Sequence, residues 1–99
     1  MEPVHGGLSS LKGAYPEMQR MCEKVRPKDN YRYFYPILYR MQVVAGTNYF
    51  IKVHVDEDKY VHICVSQALP CNGGECSISG IQSNKTLEDP IDYFPLGTK

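Results

Sequence analysis

The chain has 99 residues, enough for one domain with its own core and no metal or disulfide staple. Eleven Lys plus Arg balance eleven Asp plus Glu, so the formal net charge is zero, and with no basic block neither nucleic acid nor an anionic membrane is an expected partner. No apolar run approaches transmembrane length, and MEPVHGGLSS has neither a basic nor an apolar leader region, so the expectation is a cytoplasmic protein whose cysteines are thiols.

Residues 1–13 hold Gly6, Gly7 and Gly13 without periodicity and read as a flexible N-terminal arm of a single domain spanning 1–99. Pro16 suits the first position of a helix, and Glu17 suits its first turn. Met18, Met21, Cys22 and Val25 then repeat on one face, and Pro27 stops the run, which predicts a helix over about 15–26. Cys22 on that face reads as a small buried hydrophobe.

KDNYRYFYP at 28–36 is a connection or the start of an edge strand, because Pro36 removes a ladder donor. The period then becomes two. Ile37, Tyr39, Met41 and Val43 form one alternating set; Tyr49, Ile51, Val53 and Val55 form the next; Val61, Ile63 and Val65 form a third. A last short strand is expected over roughly 76–82, followed by a turn-rich C-terminal segment, 83–99. The fold class is α+β, one helix against an antiparallel sheet.

The strand breaks place turns at Ala45-Gly46-Thr47, Glu57-Asp58-Lys59 and Pro70 to Gly74. Successive turns of a meander lie at opposite ends, so the first and last share an end. That end carries Val43, Val44, Ala45, Gly46, Leu69 and Pro70, all apolar or small, whereas the middle turn is charged. Apolar loops gathered on one edge suggest a contact surface.

QVVAG at 42–46, followed by TNYFIKVHV, resembles the first inhibitory hairpin of the stefins, the type 1 cystatins. Tyr60-Val61-His62, Leu69-Pro70, Gln82, Asn84, Lys85 and Tyr93-Phe94 extend the resemblance downstream; GGLS at 6–9, Pro16, Glu17, Gln19 and KVRP at 24–27 extend it upstream. The resemblance implies a sheet wrapped around one helix and reversible, noncovalent, competitive inhibition of papain-like cysteine proteases of the cathepsin L, S, H and B type. It implies a wedge of three parts. Gly6, or alternatively Gly7, anchors an arm whose Val4 and His5 fill the first pockets. Gln42, Val43, Val44, Ala45 and Gly46 meet the catalytic centre, and Leu69 with Pro70 covers the far side.

This chain departs from the stefin pattern in four places. The stretch between Pro27 and Gln42 is shorter, Cys64 and Ser66 replace basic and bulky residues, the second loop carries Cys71, Asn72, Gly73, Gly74, Glu75 and Cys76, and the chain continues past Phe94 as PLGTK. These departures leave a second reading open, a stefin-fold binding or structural protein with weak or lost inhibition. A monomer is expected, with a dimer exchanging elements through an opened hairpin as the alternative.

Other chemistry finds less support. If Asp56 pairs with Tyr60, His54 faces His62 and Cys64 lies two positions on, all on the outer face of the sheet. Zinc accepts such donors, but exposed polar residues alternating along strands need no ligand, so neither metal nor cofactor is expected. Cys71 and Cys76 flank a turn where a disulfide would close a short loop with modest gain. A nucleophile, base and orienter are not assembled, so the chain is not expected to be an enzyme.

Overall fold

The computed structural model describes residues 8–28, 31–69, 71 and 73–92. Val4, His5, Gly6 and Pro70, with Gly7, Tyr93 and Phe94, lie outside the described residues. The element order is β1 (Lys12–Gly13), α1 (Pro16–Val25), β2 (Tyr35–Val44), β3 (Gly46–Asp56), β4 (Lys59–Gln67) and β5 (Cys76–Lys85). The strands form one sheet in the order β1-β2-β3-β4-β5, with every neighbouring pair antiparallel.

Helix α1 begins at Pro16, which lacks the N–H that the first turn would leave unpaired, and carries Glu17 at the start and Lys24 at the end. Met18 and Cys22, one turn apart, are fully buried against Tyr39, Ile51, Val53, Ile63 and Val65. This is the main core, on the inner face of the sheet. Burial pushes the Cys22 thiol up to about 12, so it remains protonated and apolar.

The outer face has a second, smaller core. Phe50 and Cys64 are fully buried there under Ile91, with Leu8 and Leu38 packed around them. Beside it, the Lys52 ammonium donates to the carbonyls of Thr86, Leu87 and Asp89 at 2.8, 2.5 and 2.6 Å. The C-terminal segment is thus drawn across the sheet by one buried cation, whose pKa is lowered by the loss of water.

Three expectations need correcting. Residues 8–13 do not stand apart as an arm: Lys12 pairs with Tyr39, Gly13 with Leu38, and Ser9 N–H donates to the Met41 carbonyl at 2.8 Å. The last strand runs to Lys85 rather than 82, because Lys85 still pairs with Tyr60; its outer residues are polar, so no apolar alternation marks them. Third, His54 faces Tyr60, while His62 faces Lys52 and Cys64 faces Phe50. Asp56 pairs with Lys59 across a two-residue turn, and a bulge between His54 and Asp56 shifts the register.

That face is not exposed where His62 and Cys64 lie. His62 is 1% accessible, and Cys64 is fully buried, packed with Phe50 and Ile91. His54 instead stacks on Tyr60 at 4.6 Å and meets Tyr33 edge-on at 5.0 Å. Its Nε2 lies 2.6 Å from the Glu57 carbonyl. Among the described residues no group of three or more His, Cys, Asp or Glu side chains converges on a metal-sized site.

Candidate inhibitory edge

The β2–β3 hairpin is as tight as a hairpin allows. Gln42 pairs with Asn48, Val43 with Thr47 and Val44 with Gly46, leaving Ala45 alone at the tip. Strand alternation sends Val43 and Val44 to opposite faces, so the tip is apolar on both sides. Val43 is 64% exposed and Val44 44%, although valine is usually buried.

Gly46 has a reason to be glycine. Its φ is +122°, a conformation that side chains rarely adopt, and it packs directly on β4. A Cβ there would lie 2.4 Å from the Gln67 carbonyl oxygen. The hairpin tip is therefore seated on the base of the following loop, with no room between the two backbones.

The second loop leaves β4 after Gln67 and returns at Cys76, which pairs with Gln67. Ala68 N–H donates to the Glu75 carbonyl at 2.9 Å, and Gly74 N–H to the Leu69 carbonyl at 3.0 Å. Leu69 is 41% exposed at its rim. A groove of about 300 Å³ runs between the loops, lined by Val44, Ala45, Asn48, Ala68, Glu75 and Ser77. Gln42, Val43, Val44, Ala45, Gly46 and Leu69 thus gather at one end of the sheet. Cys71 and Cys76 are free thiols, as are Cys22 and Cys64.

Beneath the two loops runs a feature that alternation alone did not reveal. The Asn48 amide donates to Gln42 Oε1 at 2.8 Å, Ser66 Oγ donates to Asn48 Oδ1 at 3.0 Å, and the Ser66 and Ser79 hydroxyls lie 2.5 Å apart. This polar ladder crosses four strands, β2 to β5, and both Gln42 and Asn48 are buried. Side-chain networks of this kind hold strands in one register. The available signal was the cross-strand row of polar residues Gln42, Asn48 and Ser66; the register partner of Ser66 is Ser77, and the bulge in this pairing brings Ser79 to it instead.

The arm begins at the same end. Ser9 lies beside Met41, with the Met41 N–H donating to Ser9 Oγ at 3.0 Å and Arg40 Nε donating to the Ser9 carbonyl at 2.8 Å. Because β1 is antiparallel to β2, the chain read back from Gly13 to Ser9 follows β2 from Leu38 to Met41, in the direction of the hairpin tip.

Residues 6–87 match the cystatin domain model. The chain belongs to the stefin-type cystatins. It is 43% identical to cystatin-B of Oplegnathus fasciatus over 95% of this chain and 100% of that protein. It is 43% identical to leukocyte cysteine proteinase inhibitor 1 of Sus scrofa, covering 94% of this chain and 96% of the relative. Stefin-C of Bos taurus shares 39% identity over 93% of this chain and 97% of its own length. Cystatins are protease inhibitors, and this stefin-type chain is not an enzyme. Among the described residues of this cystatin, no helix is long and apolar enough to cross a membrane.

Proposed function

We propose that the protein inhibits papain-like cysteine proteases of the cathepsin L, S, H and B type by filling the active-site cleft, reversibly, noncovalently and in competition with substrate. The observation that carries this reading is the edge itself: Val43, Val44 and Leu69 are exposed together on loops whose backbones are locked at Gly46 and Gln67. Apolar surface on preformed loops gains roughly 25 cal/mol per Å² buried on docking and loses little freedom. Gln42 is buried in the ladder, so its part is to hold the hairpin in place. Val43, Val44 and Ala45 supply the contact, and Gly46 supplies the close approach to the second loop. Leu69 and Pro70 form the second contact; Val4, His5 and Gly6 form the third. The protein acts as a cytoplasmic monomer in this reading.

Inhibition by steric occupation needs no nucleophile and no metal. The deciding measurement is titration of papain and cathepsin L with the protein under reducing conditions, at several substrate concentrations. Competitive inhibition at submicromolar concentration is expected. No inhibition at micromolar concentration overturns the reading and leaves a stefin fold put to another binding use.

A further inference from the structure

We propose that Arg40 is a positioning residue for the N-terminal arm, tying the root of the arm to the C-terminal segment through one guanidinium. This rests on the reading of the arm as a protease contact. Arg40 Nε donates to the Ser9 carbonyl at 2.8 Å, and a terminal nitrogen donates to the Ile91 carbonyl at 2.7 Å and to Asp92 Oδ1 at 3.4 Å. The two carbonyls belong to segments 31 and 51 residues away in sequence from Arg40. The Arg40 side chain is only 28% exposed.

The fork explains the choice of residue. A guanidinium presents its donors in one rigid plane and reaches two acceptors at fixed angles, which a lysine ammonium on a flexible stem does not reproduce. Below the fork, Leu8 joins Phe50, Cys64 and Ile91 in the outer core. The arm root and the C-terminal segment are thus two sides of one small cluster, closed by the same cation. Ser9 also keeps its own bonds to Met41, so loss of Arg40 leaves the arm attached but removes the bond that sets its direction at Ser9. An arm without a set direction must be ordered on docking, and affinity falls accordingly.

The test uses four full-length proteins: the natural sequence, Arg40→Ala, a double variant carrying Val4→Asp and His5→Asp that takes the arm out of the contact, and the combination. Inhibition of papain is measured for each, with amide hydrogen exchange of the free proteins. Arg40→Ala is expected to weaken inhibition roughly three- to tenfold when the arm is intact and less than about twofold when it is disabled. Exchange at the Ser9 amide should accelerate, with the Ile51 and Ile63 amides unchanged. Arg40→Lys keeps the charge without the fork and should show the same dependence on the arm at smaller amplitude. Equal losses with and without a working arm, or unchanged Ser9 exchange, overturn the proposal. If the natural sequence does not inhibit papain, the protease reading fails, and the Ser9 exchange still decides whether Arg40 sets the arm.

Discussion

Gly46 and Gln67 touch backbone to backbone: a single added Cβ at residue 46 would sit 2.4 Å from the Gln67 carbonyl oxygen. This contact joins the two loops of the apolar edge into one body. It also turns a flexible residue into a rigid joint, because the φ of +122° and the absence of a side chain are both required there.

Gly46→Ala should therefore push the hairpin tip away from the second loop. The strain is expected to cost about 1–3 kcal/mol, divided between lower stability and weaker inhibition. Chemical denaturation and papain titration of the same protein measure the two shares. An unchanged inhibition constant together with unchanged stability would mean that the tip does not rest on Gln67.

Val44→Ala should act on binding alone. The side chain is 44% exposed in the free protein, so its removal should shift folding stability by less than about 0.5 kcal/mol. Two methyl-sized groups lost from a docked contact should weaken inhibition by about 1–1.5 kcal/mol, roughly tenfold. A large drop in thermal stability would contradict the exposed position.

Asn48→Ala should show the opposite balance. Asn48 is buried and joins Gln42 to Ser66 with bonds of 2.8 and 3.0 Å. Removing the amide from the ladder should cost about 1–3 kcal/mol of stability. Inhibition should weaken as well, because the hairpin stem loses its register lock. Urea unfolding midpoints read the first effect. The prediction fails if Asn48→Ala is as stable as the natural sequence.

His62 should make the fold sensitive to mild acid. Its Nε2 is buried with no hydrogen-bond partner. Burial first, then the neighbouring Lys52 and Lys85 cations, lower its pKa to about 4, against weaker opposing pulls from Asp89 and Asp92. The folded protein thus resists protonation that the unfolded chain accepts below about 6.5. Stability from the neutral imidazole is complete above 6.5 and drains away as pH falls towards 4, about 2 kcal/mol of it by pH 5. Denaturant unfolding at pH 7, 6 and 5 should show this slope, and His62→Phe should flatten it. A slope that persists in the variant would assign the acid sensitivity to other groups.

The same histidine shows where reading by alternation stopped. His62 and Cys64 occupy polar-face positions in their strand, and from the strand alone that face belongs to solvent. A segment with little periodicity, 86–92, crosses it instead, anchored by Lys52 to three backbone carbonyls and by Ile91 against Phe50. Hydrogen bonds to main-chain oxygens leave no pattern in the sequence, because every residue carries that oxygen. The Arg40 contacts to Ser9 and Ile91 escaped for the same reason.

Local chemistry, by itself, determined the helix from Pro16, the three long alternating strands and the apolar edge formed by Val43, Val44 and Leu69. Each depends on periodicity or on a backbone limit that one or two residues impose. Only the tertiary structure decided the bulge that moved His54 opposite Tyr60, the outer core around Phe50 and the clamp at Arg40. Those depend on which distant segments lie against each other, and contacts across 31 or 51 residues are set by packing rather than by any local preference.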